Sequence, residues 1–296
     1  MRCKGDCKHL DIKSLEIFKA VATEQNITKA AEKLNYVQSN VTARIQRLEK
    51  ELGVALLYRS HKKVSLTPAG REFLQHATKL LNDFEEAVES VNPSSTPRGS
   101  LRIGAMESTA STHLPLIFAR YHERFPQVEL SMYMAPTVDQ IEDILKYKSD
   151  GAFVDGPVLH PEIIEHPVLE ESLALITGHS AEPFVLTSIL DKPLLSSFEH
   201  CIYLGRWQRW LEDNGHPPMK VMEYGTLEGV LKCVEHGLGV TVLPMSMVES
   251  RAESRLNTYP LEDPYRIVPT VFIRRRDTYR TAALSRFMET AGIVVS

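Results

Sequence analysis

Four cysteines in 296 residues are too few for a disulfide scaffold. In a chain expected to be cytoplasmic they read as free thiols. Cys3, Cys7 and His9 have the chemistry of metal ligands, but their spacing is loose and no fourth ligand stands nearby, so a frayed tail is the preferred reading. Cys201 and Cys233 read as small buried hydrophobes rather than redox sensors. No run of about 18 apolar residues occurs, which argues against a membrane span. The N-terminal MRCKGDCKHL has no apolar core, so it does not read as a secretory signal. Also missing are G-x-S-x-G, H-E-x-x-H and G-x-x-x-x-G-K-[ST]. The eleven histidines are scattered. The pair Gly237-x-Gly239 lacks a third glycine and precedes a strand pattern rather than a helix, so it is no dinucleotide loop. The chain is read as a non-enzyme without cofactor or structural metal.

What is present is unevenly distributed. The length allows two or three domains, and 43% hydrophobic with 24% charged residues is ordinary for a globular protein. The net charge is -4, yet residues 26–71 carry nine Lys/Arg against three Asp/Glu. Residues 1–92 hold 15 basic and 12 acidic side chains, and residues 93–296 hold 19 and 26. A basic module on an acidic chain implies a polyanionic partner for that module alone.

Inside the basic module the apolar periodicity predicts three helices. Leu15, Phe18, Val21 and Ala22 mark the first, from about Ile12 to Glu24, with Asp11 placed to cap it. Asn26 or Thr28 caps a short second helix to Leu34, whose Ala30 and Ala31 permit close approach. After a turn at Asn35-Tyr36, a third runs from Gln38 to Leu52 with Val41, Ile45, Leu48 and Leu52 inward, and Gly53 stops it. Strands at Leu56–Tyr58 and Lys63–Leu66 around Ser60-His61-Lys62 make a wing. In a helix-turn-helix the start of the second helix enters the major groove. Gln38, Ser39, Asn40, Thr42 and Ala43 are therefore candidate base contacts: Gln pairs two-pronged with adenine, hydroxyls serve several bases, and the Ala methyl suits thymine. Thr28, Arg44, Arg47, Arg59, Lys62 and Lys63 complete the candidate double-stranded DNA contacts, the basic ones suited to phosphates.

The run KAAEKLNYVQSNVTARIQRLEKELGVALLYRSHKKVSLTPAG resembles the signature of LysR-type transcriptional regulators. Leu48-Glu49, Leu52-Gly53, Leu56-Leu57, Arg59, Leu66-Thr67 and Ala69-Gly70 match its pattern of L-E-x-x-L-G-x-x-L-[FL]-x-R followed by L-T-x-A-G. Two positions depart from it. Ser39 stands where the family often has Pro, and Ala43 where it often has Arg, so no operator sequence carries over.

Thr67-Pro68 starts a connecting helix reaching about Val91, roughly 37 Å at 1.5 Å per residue. Its wide stripe, Phe73, Leu74, Ala77, Leu80, Leu81, Phe84, Ala87, Val88 and Val91, suits a helix-helix seam. An intrachain core helix is the other reading. A homodimer, or a homotetramer built from it, is expected, and the resemblance implies antiparallel pairing of this helix. Asn92-Pro93-Ser94-Ser95-Thr96-Pro97-Arg98-Gly99 reads as a hinge.

Beyond the hinge, strands alternate with helices, the pattern of a parallel sheet covered by helices. Strands are expected at 101–105, 128–133, 151–154, 173–176, 201–204, 221–224, 240–243 and 268–274; helices at 110–125, 138–146, 227–236 and 280–291, with 106–109 as a turn. Ligands on such sheets sit at the strands' carboxyl ends. That rule nominates Ser108, Thr109, Thr137 and Asp155, and across a cleft Tyr203, Gly205, Arg206 and Thr226, as contacts for a small-molecule effector. Gly237-x-Gly239-Val240-x-x-Leu243-Pro244, Leu101-Arg102-Ile103-Gly104 and Leu114-Pro115 also resemble the effector domain of LysR-type regulators. The implied architecture is an α/β multidomain chain: a winged helix-turn-helix (10–67), a linker helix (68–92), a hinge (93–99) and an effector-binding domain (100–296) of two Rossmann-like subdomains, as in periplasmic binding proteins. The first subdomain takes 100–160 and 266–296 and the second 161–265. The function expected is a sequence-specific regulator of transcription tuned by an effector. The competing reading is a small-molecule-binding or enzymatic α/β protein whose N-terminal helices serve only oligomerisation.

Overall fold

The computed structural model describes residues 10–59, 64–90, 96–180, 184–198, 201–249, 251, 255–278 and 280–294. The N-terminal Cys3, Cys7 and His9, the wing tip Ser60 to Lys63, and Val91 to Ser95 lie outside them. Two compact units divide the chain, one chiefly residues 1–95, the other chiefly 96–277 and 282–296.

In the first unit α1 (Ile12–Glu24) begins at Asp11, whose carboxylate accepts the Ser14 N–H at 2.7 Å. It buries Leu15, Ile17, Phe18 and Val21. The short α2 (Ile27–Lys33) is capped by Asn26, whose Oδ1 accepts from both the Thr28 and Lys29 N–H groups. Its buried Ala30 and Ala31 let the neighbouring helices close in. The third helix, α3 (Gln38–Leu52), buries Val41, Ile45 and Leu48 and ends at Gly53 in the left-handed region, φ +69°. Next come β1 (Leu57–Arg59) and β2 (Val64–Leu66), antiparallel with Tyr58 opposite Ser65. The first strand begins one residue later than its apolar run suggests, and a side chain holds the N–H groups at its start.

That side chain is Glu49, whose Oε1 accepts from the Leu56 and Leu57 N–H groups at 2.9 and 3.1 Å, tying the end of α3 to the wing. Thr67 Oγ1 donates to the Ala55 carbonyl at 2.8 Å and accepts from the Gly70 N–H at 2.9 Å, capping the helix that follows, α4 (Pro68–Ser90). Gly70 passes so close to the chain that a Cβ there would lie 2.0 Å from the Leu56 carbonyl oxygen. The recurring Leu-Glu, Leu-Gly and Leu-Thr-x-Ala-Gly steps thus build the wing and its junction with α4.

The stripe on α4 divides between two roles. Ala77 and Leu81 are buried and Phe73 and Leu74 half-buried in the core of this unit, Phe73 lying 5.3 Å from the Phe18 ring. The intrachain reading therefore holds for this half, because α1 reaches back over it. Leu80, Phe84 and Val88 stay 52%, 47% and 45% exposed.

The second unit opens with β3 (Gly99–Ala105), then α5 (Glu107–Thr112), α6 (Leu114–Arg124), β4 (Val128–Met134), α7 (Thr137–Leu145) and β5 (Gly151–Asp155). The single helix expected over 110–125 is two helices that break at His113, with Pro115 in the first turn of the second, where its missing N–H costs nothing. The first of them also takes in residues expected as a turn. After β6 (Ile163–Gly178) come β7 (Leu194–Ser196), α8 (Ile202–Asp213), β8 (Val221–Glu223), α9 (Leu227–Glu235), β9 (Thr241–Pro244), α10 (Ser246–Glu249), β10 (Leu256–Pro260), β11 (Ile267–Arg275) and α11 (Ala282–Thr290). The strand expected at 201–204 is instead the start of α8: Tyr203, Leu204, Trp207 and Leu211 are buried at helical spacing. β7, β10 and the first half of β6 were not anticipated, and β7 is fully buried.

Among the described strands β3 pairs parallel with β4 and β5, and β7 with β8, and a single parallel bridge joins Leu194 to Val240. The rest is antiparallel, because the chain crosses between subdomains and returns. β6 makes the crossing, its first half pairing β11 and its second half β10 and β9. The passage between subdomains therefore lies within a strand rather than at residue 160. One core gathers Leu101, Ile103, Tyr121, Phe153, Phe272 and Phe287; the other gathers Leu173, Leu195, Trp207, Leu231 and Val242.

Candidate DNA-reading face and ligand cleft

On α3 burial alternates with exposure as a reading helix requires. Gln38, Ser39, Asn40, Ala43, Gln46 and Arg47 are exposed while Val41, Ile45 and Leu48 are buried. Val37 occupies the N-cap without a side-chain hydrogen bond, so the helix start is bare and its first N–H groups point outward. Thr42 is half-buried and its hydroxyl donates to the Gln38 carbonyl at 2.9 Å, leaving it an acceptor for an outside group. Thr28 is exposed on α2. Arg44 reaches Asp11 at 3.1 Å and Arg47 reaches Glu51 at 3.0 Å. The Asp11 carboxyl is held below its usual value, first by the Ser14 hydroxyl and N–H and then by Arg44. Surface pairs of this kind contribute about 1 kcal/mol or less, so a phosphate can displace either carboxylate. Arg59 is the last residue of β1; Lys62 and Lys63 fall outside the described residues. A cavity of about 60 Å³ between α1 and the wing, lined by Val21, Gln25, Leu57 and Leu66 among others, has room for water only.

In the second unit the structure brings together four of the eight expected ligand contacts. Ser108 on α5 and Tyr203 on α8 share a buried hydrogen bond of 3.0 Å between residues 95 apart in the chain. Thr137, first residue of α7, donates to Asp155 Oδ2 at 3.2 Å and accepts the Asp155 N–H at 3.3 Å. Ser108, Tyr203 and Asp155 are all buried, as is Thr109 beside them. Gly205 is exposed with nothing within 4 Å of a Cβ built on it, so it lies outside the cluster. Arg206 turns to the Pro264 and Tyr265 carbonyls at 3.3 and 3.4 Å, although its charge still reaches Asp155. Thr226 is exposed and caps α9 by accepting the Gly229 N–H at 3.1 Å.

Sequence reasoning missed two clasps. Glu107, assigned to a turn, accepts the Leu227 N–H at the start of α9 at 2.9 Å, one subdomain capping a helix of the other. Buried Glu171 accepts from Ser246 at 3.1 Å and bonds His113 at 2.6 Å, joining β6 to α10 and to the break between α5 and α6. The one available signal was Glu107 directly after a buried strand. Glu171 sits in a half-polar stretch of β6 and gave none. Cys201 and Cys233 are half-buried against the core, and burial pushes the Cys201 thiol up, away from reactivity. Among the described residues no three His, Cys, Asp or Glu side chains are placed to hold a metal ion. Among them, too, no helix is long and apolar enough to cross a membrane.

Burial pushes the Asp155 carboxyl from 3.8 up to about 6, against hydrogen bonding from Thr137 and Tyr203 and the Arg206 charge. A folded-state value above the unfolded one contributes stability that is complete below about pH 4 and lost as pH rises through about 6. Two pKa units amount to roughly 3 kcal/mol. Asp155→Asn is therefore expected to stabilise the second unit by about 2 kcal/mol at pH 8, part of the gain being offset by a weaker bond to Thr137. Denaturant titrations of both proteins from pH 4 to 8 should show curves that converge at the acid end. Parallel curves would remove Asp155 as the source.

Comparison with known proteins accounts for both units. Residues 12–71 match the family described as bacterial regulatory helix-turn-helix protein, lysR family, and residues 94–293 match the LysR substrate binding domain. The chain is 41% identical over 283 residues to the HTH-type transcriptional regulator GltR of Bacillus subtilis (strain 168), covering 94% of this chain and 95% of that one. Its fold is similar to that of a full-length OxyR variant from Pseudomonas aeruginosa, with a TM-score of 0.75, 23% identity, and coverage of 96% and 93%. It is also similar to full-length CbnR complexed with its target DNA, with a TM-score of 0.64, 21% identity, and coverage of 96% and 99%. The reading of the N-terminal helices as a mere oligomerisation arm is set aside by the match over residues 12–71.

Proposed function

Since this chain belongs to the LysR family of bacterial helix-turn-helix transcriptional regulators, we propose that the N-terminal half of α3 reads base edges in the major groove. The observation that carries this is the bare start of α3, where Gln38, Ser39, Asn40 and Ala43 are all exposed while Val41 and Ile45 anchor the helix behind them. Gln38 is the side chain suited to two-pronged pairing, and Thr42 adds an acceptor. Arg44, Arg47, Thr28 and, on the wing, Arg59, Lys62 and Lys63 take phosphates and fix the register. The partner is duplex DNA, so the working compartment is the cytoplasm.

Selection of bound fragments from sheared genomic DNA tests this reading. Enrichment of a few interrupted palindromes supports it, and binding without any enriched site sinks sequence reading by α3. Gln38→Ala should flatten base preference at one position per half-site, costing about 1–3 kcal/mol of discrimination. An unaltered profile on randomised DNA would remove Gln38 from the reading face. Arg44→Ala and Arg47→Ala should each weaken binding to all sequences alike and lower the salt slope by about one. Unchanged slopes in both variants would end their assignment to phosphates.

Effector control belongs to the cleft where Ser108, Thr137, Asp155 and Tyr203 converge. With Ser108 bonded to Tyr203 and Glu107 to Leu227, the described cleft is a clasped arrangement. An effector biases the regulator only by binding one arrangement of the subdomains better than another. A small molecule that replaces the Ser108–Tyr203 bond with bonds of its own has that property. The exposed half of the α4 stripe is the seam of a homodimer, so that two reading heads act on two half-sites.

A further inference from the structure

We propose that the effector presents a primary ammonium group to Asp155, a reading that rests on the assignment of this cleft as the effector site. The starting observation is a buried carboxylate oxygen that no hydrogen bond of ordinary geometry reaches, although the Tyr203 hydroxyl is near enough to act on the carboxyl. Asp155 is 8% exposed and its Oδ2 is occupied by Thr137, while its Oδ1 is shielded from solvent and has no hydrogen-bond partner. Buried acceptors left unmatched are costly, and a carboxylate more than most. An oxygen kept in this state, at the carboxyl end of β5 and beside the Tyr203 hydroxyl, is a socket for a donor.

The surroundings decide the charge of that donor. Three carboxylates flank the cleft: Asp155, Glu107 and Glu171. Of the nearby basic side chains, His113 is bonded to Glu171, and Arg206 is committed to the Pro264 and Tyr265 carbonyls. An anionic ligand would be desolvated against an unpaired carboxylate, whereas a cation would pair with it. Shape then separates the two common organic cations. A guanidinium bonds a carboxylate through two parallel N–H groups, and Oδ2 is already taken. An ammonium needs one oxygen from Asp155 and two further acceptors, which the Ser108 and Tyr203 hydroxyls supply once their mutual bond opens. Binding and unclasping are then a single event.

The test is a set of melting curves of the full-length protein with n-butylamine, putrescine, ethanolamine and alanine. Each amine is matched to compounds of like skeleton: n-butanol and butyrate, 1,4-butanediol and succinate, ethylene glycol and glycolate, and lactate. At least one amine is expected to raise the melting temperature in a concentration-dependent way that its matched compounds do not. Its apparent affinity should fall about tenfold or more in Asp155→Asn. The ligand-free melting curve and circular dichroism of Asp155→Asn, expected to keep a native transition for the second unit, separate loss of charge from loss of fold. Stabilisation by the carboxylates, undiminished in Asp155→Asn, would overturn the ammonium while leaving the cleft as an effector site. Silence from every compound of every charge would overturn both.

Discussion

Replacing Leu80 and Phe84 together with aspartate is expected to turn the protein from a dimer into a monomer and to weaken its hold on a two-half-site DNA by about 10²–10⁴-fold. Both side chains lie on α4, 52% and 47% exposed, one turn apart and in line with Val88. A row of large apolar groups half open to water on a helix of 23 residues is uncommon unless something covers it. Charges placed there would have to be desolvated in a seam, at several kcal/mol each. The intrachain core uses neither residue: it takes Phe73, Leu74, Ala77 and Leu81 from the same stripe and leaves Leu80 and Phe84 out. The variant should therefore keep its helical content and its weak binding to a single half-site. Light scattering gives the mass, and titration against one-site and two-site duplexes gives the affinity ratio. A variant that remains dimeric would move the seam elsewhere on the chain.

A second large effect is expected from a single methyl group. Gly70→Ala sets a Cβ 2.0 Å from the Leu56 carbonyl oxygen, and both sides of that contact are backbone. No rotamer can relieve it, so α4 or the wing must move. The same stretch holds the Thr67 cap on Ala55 and Gly70 and the Glu49 clamp on Leu56 and Leu57. A shift large enough to clear the clash stretches these bonds together, and the loss should be roughly 3 kcal/mol or more for the first unit. Thermal unfolding should show that unit melting early while the second unit holds its transition. Ala69→Ser, next to it and half-buried, should move the transition little. A Gly70→Ala protein with an unchanged melting profile would mean that α4 can slide freely past the wing.

The first unit was close to fully legible because its signals are local. Asp11, Asn26 and Gly53 act on helix ends within four residues of themselves, and the Val41, Ile45, Leu48 spacing runs over two turns. The second unit was less so, for reasons of range. Cys201 to Leu204 is a four-residue apolar run, which suits a strand and the start of a helix equally until Trp207 and Leu211 are seen buried on the same side. Leu194 to Ser196 gave no periodic signal because both faces of that strand are covered. Among the candidate ligand contacts, the structure brings together Ser108, Thr137 and Asp155, nominated by the rule that ligands sit at strand ends, and Tyr203, nominated from the side opposite. Gly205, also nominated across the cleft, lies outside this cluster, and Glu107 and Glu171 were passed over. Those two carboxylates act on partners 120 and 75 residues away.

By itself the sequence determined the family, the helix-turn-helix with the exposed polar face of its third helix, the placing of a long helix after it and the alternation of strands and helices beyond. Each of these follows from capping, periodicity or a motif within a few residues, and local free energies are additive enough to be read along a chain. Only the tertiary structure decided which half of the α4 stripe is spent inside the unit and which is left over, why Gly70 must be glycine, and that Asp155 keeps one buried oxygen unmatched. Those depend on close approach between segments far apart in sequence, where burial and the lack of a partner raise the cost of a charge, and no window of residues contains that information.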